Sequence, residues 1–476
     1  MNPSKKKWLY RLLAIGLGFF LLLALEGILR LLHIAPDEDF APEQLMTIVE
    51  NGQIKGEIVR SGAPYFLDQG DGMVETNPLY HRGKGGGFPQ TGSMRKTRFS
   101  KESTSDRYFL LGGSAALGQQ PVNLKIPQTW STIPLGNSVY ALPKAQSISG
   151  ILEKNLRQNG KDVEILNAGM IAQDSGGVRR LVSEIIPYKP TGILLYMGNN
   201  EGIGMAYGVN GITLKNVPDV QFNLRKFRIY RVLRKTFAPE KFSDSTKLIG
   251  TKPEVLGRLT QNEWRKAGKA QISGNLSTDP VHHALMKRWI TNISAIQELC
   301  DEHGIALYII TTPPHLLYPP FYSSNSPDLT DQGIRSYSSL LKQAQDFERV
   351  QSWQQMLTAS QQALGIEQYH AQGWFVHAKA LQNNKQLPNA FTSYERALML
   401  DLSRKRTRLE YAQASIDFCS EHTCTSISAH EHMKEDVLKK GFSLYDQRFG
   451  DHEHLTPDGC AWIASIFASL ILESSP

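Results

Sequence analysis

The chain has 476 residues, 41% hydrophobic and 20% charged, with a formal net charge of +7 at pH 7. That length exceeds what one compact core organises, so two or three units are expected, and the composition excludes a disordered chain. Residues 1–35 carry Lys5, Lys6, Lys7, Arg11 and Arg30 against Glu26, a net +4 that leaves +3 for the rest; the basic excess belongs to the N-terminus, and no nucleic-acid partner is expected.

Residues 9–33 are strongly apolar, and 12–25 hold no charge. The run is long enough for one membrane crossing. Three lysines precede it, whereas Asp37, Glu38, Asp39 and Glu43 follow. That asymmetry predicts a cytoplasmic N-terminus, an uncleaved signal anchor in the inner membrane and a body on the periplasmic, extracytoplasmic side. A cleaved signal peptide is the alternative. Glu26 and Arg30 are four apart and are expected to pair on one helix face. Residues 36–106 read as a stalk that partly packs on the body. Within it, 83–87 and 97–106 read as loop, and 64–66 and 77–80 as ordered turns.

From Arg107 the pattern becomes α/β. Strands are expected at 108–111, 163–167, 192–197 and 306–311. Helices are expected at 147–158, 178–186 and 286–303. Strands alternating with helices imply a parallel sheet with helices on both faces. Residues 203–280 are less regular and include a basic run, 225–235, read as a solvated helix face or a surface for anionic headgroups.

The period then changes. Trp374, Ala378, Leu381, Ala390, Tyr394, Ala397 and Leu398 sit at tetratricopeptide spacings. Leu340, Ala344, Phe347, Ala363 and Leu364 echo them one repeat earlier. The closing proline is missing; Leu402 stands there. An ordinary pair of helical hairpins is the plainer reading. After it come a helix at 410–419, a strand at 425–429, the stretch Asp451-His452-Glu453-His454 and a closing apolar helix at 461–472. The four cysteines include Cys419 and Cys424, readable as a disulfide in an exported body, as free thiols, or as a metal pair around His422.

Four separated blocks fall where an α/β sheet gathers its strand ends. Ser114 follows the first strand in Gly112-Gly113-Ser114. Gly169 follows the second and Asn200 the third, while Asp451 and His454 precede the last helix. Serine is a weak nucleophile until a base takes its proton. His454 suits that role, with Asp451 fixing its tautomer. The N–H groups of Ser114 and Gly169 and the side-chain amide of Asn200 are candidate donors to an oxyanion. Blander readings stand beside these: Ser114 as a turn serine, Asn200 as a helix cap, and Asp451, His452, Glu453 and His454 with Asp458 as a metal cluster. His452 reads as solvated or supporting, and His282, His283 and His315 as surface or helix-start residues.

With these blocks the chain resembles the SGNH (GDSL-like) hydrolase superfamily, in a membrane-anchored bacterial subgroup with a helical-repeat insertion. Ser114, Gly169, Asn200 and His454 match its four blocks in order, over about residues 107–201 and 445–460, with Asp451 in the Asp-x-x-His pattern. Gly113 replaces the usual Asp before the serine, and Glu201 the usual Asp after Asn200. The resemblance implies a flavodoxin-like three-layer sandwich with a parallel sheet. It divides the chain into a cytoplasmic tip and transmembrane helix (1–35), the stalk (36–106), a first hydrolase part (107–334), a tetratricopeptide-like all-α insertion (335–404) and a last hydrolase part (405–476). It implies ester cleavage through an acyl-serine, on a carbohydrate or lipid, with no cofactor and no metal. O-acyl transfer to an envelope glycan is the near alternative. A non-catalytic scaffold binding a protein partner through the repeats is the distant one.

Overall fold

In the computed structural model, which describes residues 3–32, 45–50, 53–59, 64–77, 94–119, 133–136, 139–171, 173–201, 229, 232, 280–321, 323, 325–326, 329–401 and 406–474, the N-terminal apolar run forms one helix, α1 (Pro3–Leu31). Its side chains are described from Gly16 onward, Phe19 excepted, so the expected span, 9–33, begins outside them. Among the described residues no helix is long and apolar enough to cross a membrane. Leu17, Phe20, Leu23 and Leu31 of α1 are exposed. The expected pair forms, with Arg30 Nε donating to Glu26 Oε1 at 2.9 Å. The other Glu26 oxygen accepts from the Ile229 N–H at 3.1 Å. Apart from Ile229 and Val232, the basic run 225–235 lies outside the described residues, as do 78–93 with the Gly83–Gly87 loop.

A hairpin of β1 (Leu45–Glu50) and β2 (Gln53–Val59) follows, then an antiparallel sheet of β3 (Phe66–Asp68), β4 (Met73–Thr76) and β5 (Arg98–Ser100). Residues 97–106 were expected as loop, yet they contain β5. Arg107 supplies the reason. It is 1% exposed, donates to the Ser100 carbonyl at 2.8 Å, and pairs with Glu164 at 2.8 Å. A buried guanidinium needs such acceptors, and satisfying it docks the strand. Phe66 and Phe99 meet Phe109 edge-on, so this part of the expected stalk is packed on the body.

The body begins with β6 (Asp106–Gly112) and the four-residue helix α2 (Ser114–Leu117). A small hairpin, β7 (Ile133–Gly136) and β8 (Val139–Ala141), precedes α3 (Ile148–Gln158). Then come β9 (Val163–Asn167), α4 (Ser175–Ile185), β10 (Gly192–Met197), α5 (Pro280–His303) and β11 (Ala306–Thr311). Four helices follow: α6 (Asp331–Arg349), α7 (Trp353–Ile366), α8 (Ala371–Asn383) and α9 (Leu387–Leu400). The chain ends with α10 (Leu409–Ser420), β12 (Thr425–Ser428), α11 (Ala429–Lys440), α12 (Ser443–Arg448) and α13 (Pro457–Glu473).

The main sheet has five strands in the order β12-β11-β10-β6-β9, all parallel. A strand covered on both faces must be apolar throughout, and β10 is buried at every position. Its alternation feeds two cores. Leu194 and Tyr196 join Leu110, Ile310 and helices α3 and α13. Ile193 and Leu195 join Phe109, Ile309 and helices α4, α5 and α10. The result is three layers, α/β/α.

Helices α6 to α9 make two helical hairpins. Ala363 and Ala397, at matching repeat positions, are both buried. Two repeats alone leave an apolar face uncovered. Here the α/β body covers it: Phe391 and Tyr394 pack on Phe442, within the same core that reaches the sheet. Leu402 lies outside the described residues. Cys419 and Cys424 are joined as a disulfide. His422, proposed between them as a metal ligand, instead donates Nδ1–H to the Phe418 carbonyl at 2.7 Å and stacks on the Phe418 ring.

Candidate active site

The parallel sheet brings the carboxyl ends of β6, β9, β10 and β11 to one edge, and the loops there carry the polar groups. Gly112 ends β6 at φ +147, and a Cβ there would overlap the Tyr196 carbonyl. Only glycine turns the chain there. Gly113 has an ordinary φ of −80, but a Cβ there would overlap the Asn200 amide nitrogen. That crowding accounts for glycine at this position. Ser114 then opens α2 and is 4% exposed. As the first residue of a helix its N–H has no intrahelical acceptor.

The partner loop is pinned at both ends. Phe449 bridges Leu455, and Gly450 donates its N–H to the His454 carbonyl at 2.8 Å. Thr456 caps α13 by accepting from the Gly459 N–H at 3.1 Å. Between these anchors Asp451 Oδ1 accepts from the backbone N–H groups of Glu453 at 2.9 Å and His454 at 2.7 Å. Its Oδ2 accepts from His454 Nδ1–H at 2.7 Å. His454 Nε2, then carrying the lone pair, receives the Ser114 hydroxyl at 2.9 Å from 340 residues away in sequence.

The electrostatics agree with the geometry. Burial disfavours charge on both groups. The bond to His454, its charge and the two backbone N–H groups nonetheless hold Asp451 well below the usual carboxylate range. Burial opposes charging of His454, but the bond to Asp451, with the charges of Asp451 and Glu453, holds its pKa above the ordinary histidine value. A base poised this way takes the serine proton readily.

The expected oxyanion donors are not equivalent. Ser114 N–H has no acceptor among the described residues. Asn200 places its amide nitrogen against Gly113 and donates one N–H to the Gln173 carbonyl at 2.9 Å, with the second unclaimed by any described acceptor. Gly169 N–H, by contrast, donates to Asn167 Oδ1 at 3.0 Å. Asn167 also donates to the Ala116 carbonyl at 2.9 Å, and a Cβ on Gly169 would overlap α2 at Leu117. In this state Gly169 serves the close packing of α2; it reaches an oxyanion only by sharing the Asn167 bond. Asn200 lies in a turn, and residues 202–228, where a helix for it to cap would stand, lie outside the described residues.

Several residues of this region take positions that the sequence did not assign them. His315 was expected at the surface; it is 8% exposed and packs its ring against both Tyr445 and Phe449. Its Nδ1–H donates to the Asp451 carbonyl at 2.7 Å, and burial pushes its pKa down to about 4, so it stays neutral. Its own carbonyl accepts from Arg406 at 3.1 Å, and Arg406 pairs with Asp401 at 3.0 Å, just past α9. The helical segment α6–α9 is thereby tied to the Asp451 loop. The available signal was position: His315 follows β11 at the same sheet edge. Glu201, fully buried, accepts from Ser175 N–H at 2.6 Å and Oγ–H at 2.8 Å. Arg288 on α5 lies 3.3 Å from it. Glu201 thus ties the third block to α4 and α5. Asn199 donates to Glu453 Oε2 at 2.8 Å.

The alternative metal set does not converge. Asp451 is committed to His454, and Asp458 is exposed on the first turn of α13. Among the described residues the grouping with metal-ligand spacing is Glu395, His430 and Glu431, where Lys434 already lies 3.4 Å from Glu395. No protein-family profile matches this chain, and no curated protein matches it. The site's own geometry carries the functional reading.

Proposed function

We propose that the protein is a serine hydrolase of the SGNH type that cleaves an ester through an acyl-Ser114 intermediate. The observation that carries this reading is the relay Asp451–His454–Ser114, with links of 2.7 and 2.9 Å. Ser114 Oγ attacks the ester carbonyl as its proton passes to His454 Nε2. The oxyanion forms beside Ser114 N–H and the Asn200 amide. The carbon–oxygen bond to the alcohol breaks, and His454 returns the proton to the leaving oxygen. Water then enters, gives a proton to His454 and releases the acid, restoring Ser114 Oγ–H. A sugar hydroxyl in place of that water makes the same chemistry an acyl transfer.

The body is proposed to stand outside the cytoplasmic membrane on α1 as a single-pass anchor. The exposed leucines of α1, the three lysines in its first turns ahead of the apolar run and the disulfide support this.

The test is fluorophosphonate labelling of the full-length chain in detergent, with the adduct mapped by mass spectrometry. An adduct on Ser114 that His454→Ala abolishes is the expected result. Folded protein that takes no label overturns the reading.

A further inference from the structure

We propose that Glu453, held by Asn199, is the residue that reads the alcohol half of the ester, and that it selects an alcohol bearing a second hydroxyl next to the acylated one. This rests on the serine-hydrolase reading above.

The leaving oxygen must receive its proton from His454 Nε2, so the alcohol half is built around that nitrogen. Glu453 Oε1 lies 3.7 Å from it. The carboxylate is not loose: Asn199 Nδ2 donates to its Oε2 at 2.8 Å. Oε1 accepts no hydrogen bond from any described group, and, with the side chain 11% exposed, it keeps solvent on it rather than being sealed in the core. A seated alcohol displaces that water, and a carboxylate oxygen that loses it without gaining a donor is costly. A hydroxyl on the carbon beside the ester oxygen reaches it. An alcohol without that hydroxyl shuts water from Oε1 and gives it no donor, the situation in which sites discriminate most strongly.

The surroundings fit an alcohol of that kind. His452 Nε2 lies 3.6 Å from the same Oε1. The His452 ring packs against Tyr318 at 5.4 Å and edge-on to Phe321 at 5.0 Å. Ring faces beside hydrogen-bonding groups suit the C–H and O–H surfaces of a polyol. A quaternary ammonium would also seek a carboxylate among rings. However, the His452 imidazole faces the same oxygen, and a ring nitrogen pairs with a hydroxyl but offers nothing to a quaternary ammonium. The sequence hid this site because neither Glu453 nor Asn199 is a triad or oxyanion group; only folding brings them together.

The experiment compares kcat/KM for two acetate esters that differ in the alcohol, glycerol 1-monoacetate and n-propyl acetate, with 4-nitrophenyl acetate as the common reference, on the full-length chain in detergent. The wild type is expected to prefer the glycerol ester by about tenfold or more, the size of one charge-assisted hydrogen bond. Glu453→Gln, which keeps the shape but turns an acceptor into a donor, is expected to collapse that ratio at least fivefold, mostly through KM. Asn199→Ala, which releases Glu453, shifts the ratio the same way and decides the matter if Glu453→Gln does not fold. A wild type that turns over 4-nitrophenyl acetate but does not favour the glycerol ester overturns the proposal. So does an unchanged ratio in both variants, or a preference for acetylcholine over the glycerol ester. Retention of 4-nitrophenyl acetate turnover by Ser114→Ala is a different failure, that of the hydrolase reading itself.

Discussion

Replacing Asp451 by Asn keeps the side chain's size and removes one charge, and the structure says where the damage falls. Asp451 has three donors to satisfy: the N–H groups of Glu453 and His454 on Oδ1, and His454 Nδ1–H on Oδ2. Asparagine has one oxygen. If that oxygen keeps the two backbone N–H groups, the new NH2 faces His454 Nδ1, which must then accept. The ring proton moves to Nε2, and Nε2 points at Ser114 Oγ. A protonated Nε2 cannot take the serine proton. The expected loss in kcat is about 10³–10⁴-fold, the size of such a tautomer error in serine proteases. That corresponds to about 4–5.5 kcal/mol of barrier. The assay is kcat/KM on 4-nitrophenyl acetate from pH 5 to 9, with a thermal melt to establish folding. The wild-type profile should rise with pH through the His454 pKa, which lies above the ordinary histidine value because the ion pair favours the charged ring. Residual activity in the variant should titrate at lower pH, because the group that raised that pKa is gone. A folded Asp451→Asn enzyme within tenfold of wild type, with its acid limb unmoved, refutes the reasoning.

Two further substitutions probe how the site is held. Gly113→Ala places a Cβ where the Asn200 amide nitrogen sits, so Asn200 must move; kcat should fall about 10²–10³-fold, the cost of a lost oxyanion donor, with circular dichroism unchanged. Arg288→Ala leaves the buried Glu201 without its cation; chemical denaturation should show a loss of about 3 kcal/mol, the low end for breaking a buried pair because Arg288 itself keeps some solvent contact.

Much of the frame was legible in the chain. The strands Val163–Asn167, Gly192–Met197 and Ala306–Thr311 coincide with their apolar runs, because strands covered on both faces leave an uninterrupted signal. The glycine and asparagine punctuation after them marked the sheet edge. Short strands such as β5 were not legible, since a three-residue segment has no period of its own and Arg107 decides its place. The places of His315, read as a surface residue, and Glu453, read only within a metal cluster, were not legible for a related reason. A histidine or glutamate in a loop has no local signature, and its role is set by what lies opposite.

The sequence by itself determined the alternation that makes a parallel sheet, the small residues that let Ser114 turn out of β6, and the repeat spacing of α6 to α9. These are local properties: side-chain size, backbone freedom and period act within a few residues. The tertiary structure decided everything that depends on distance between remote segments. It set His454 against Ser114, engaged Gly169 with Asn167, and placed Asn199 under Glu453. Hydrogen bonds act over about 3 Å, and which groups come that close is an outcome of packing the whole chain.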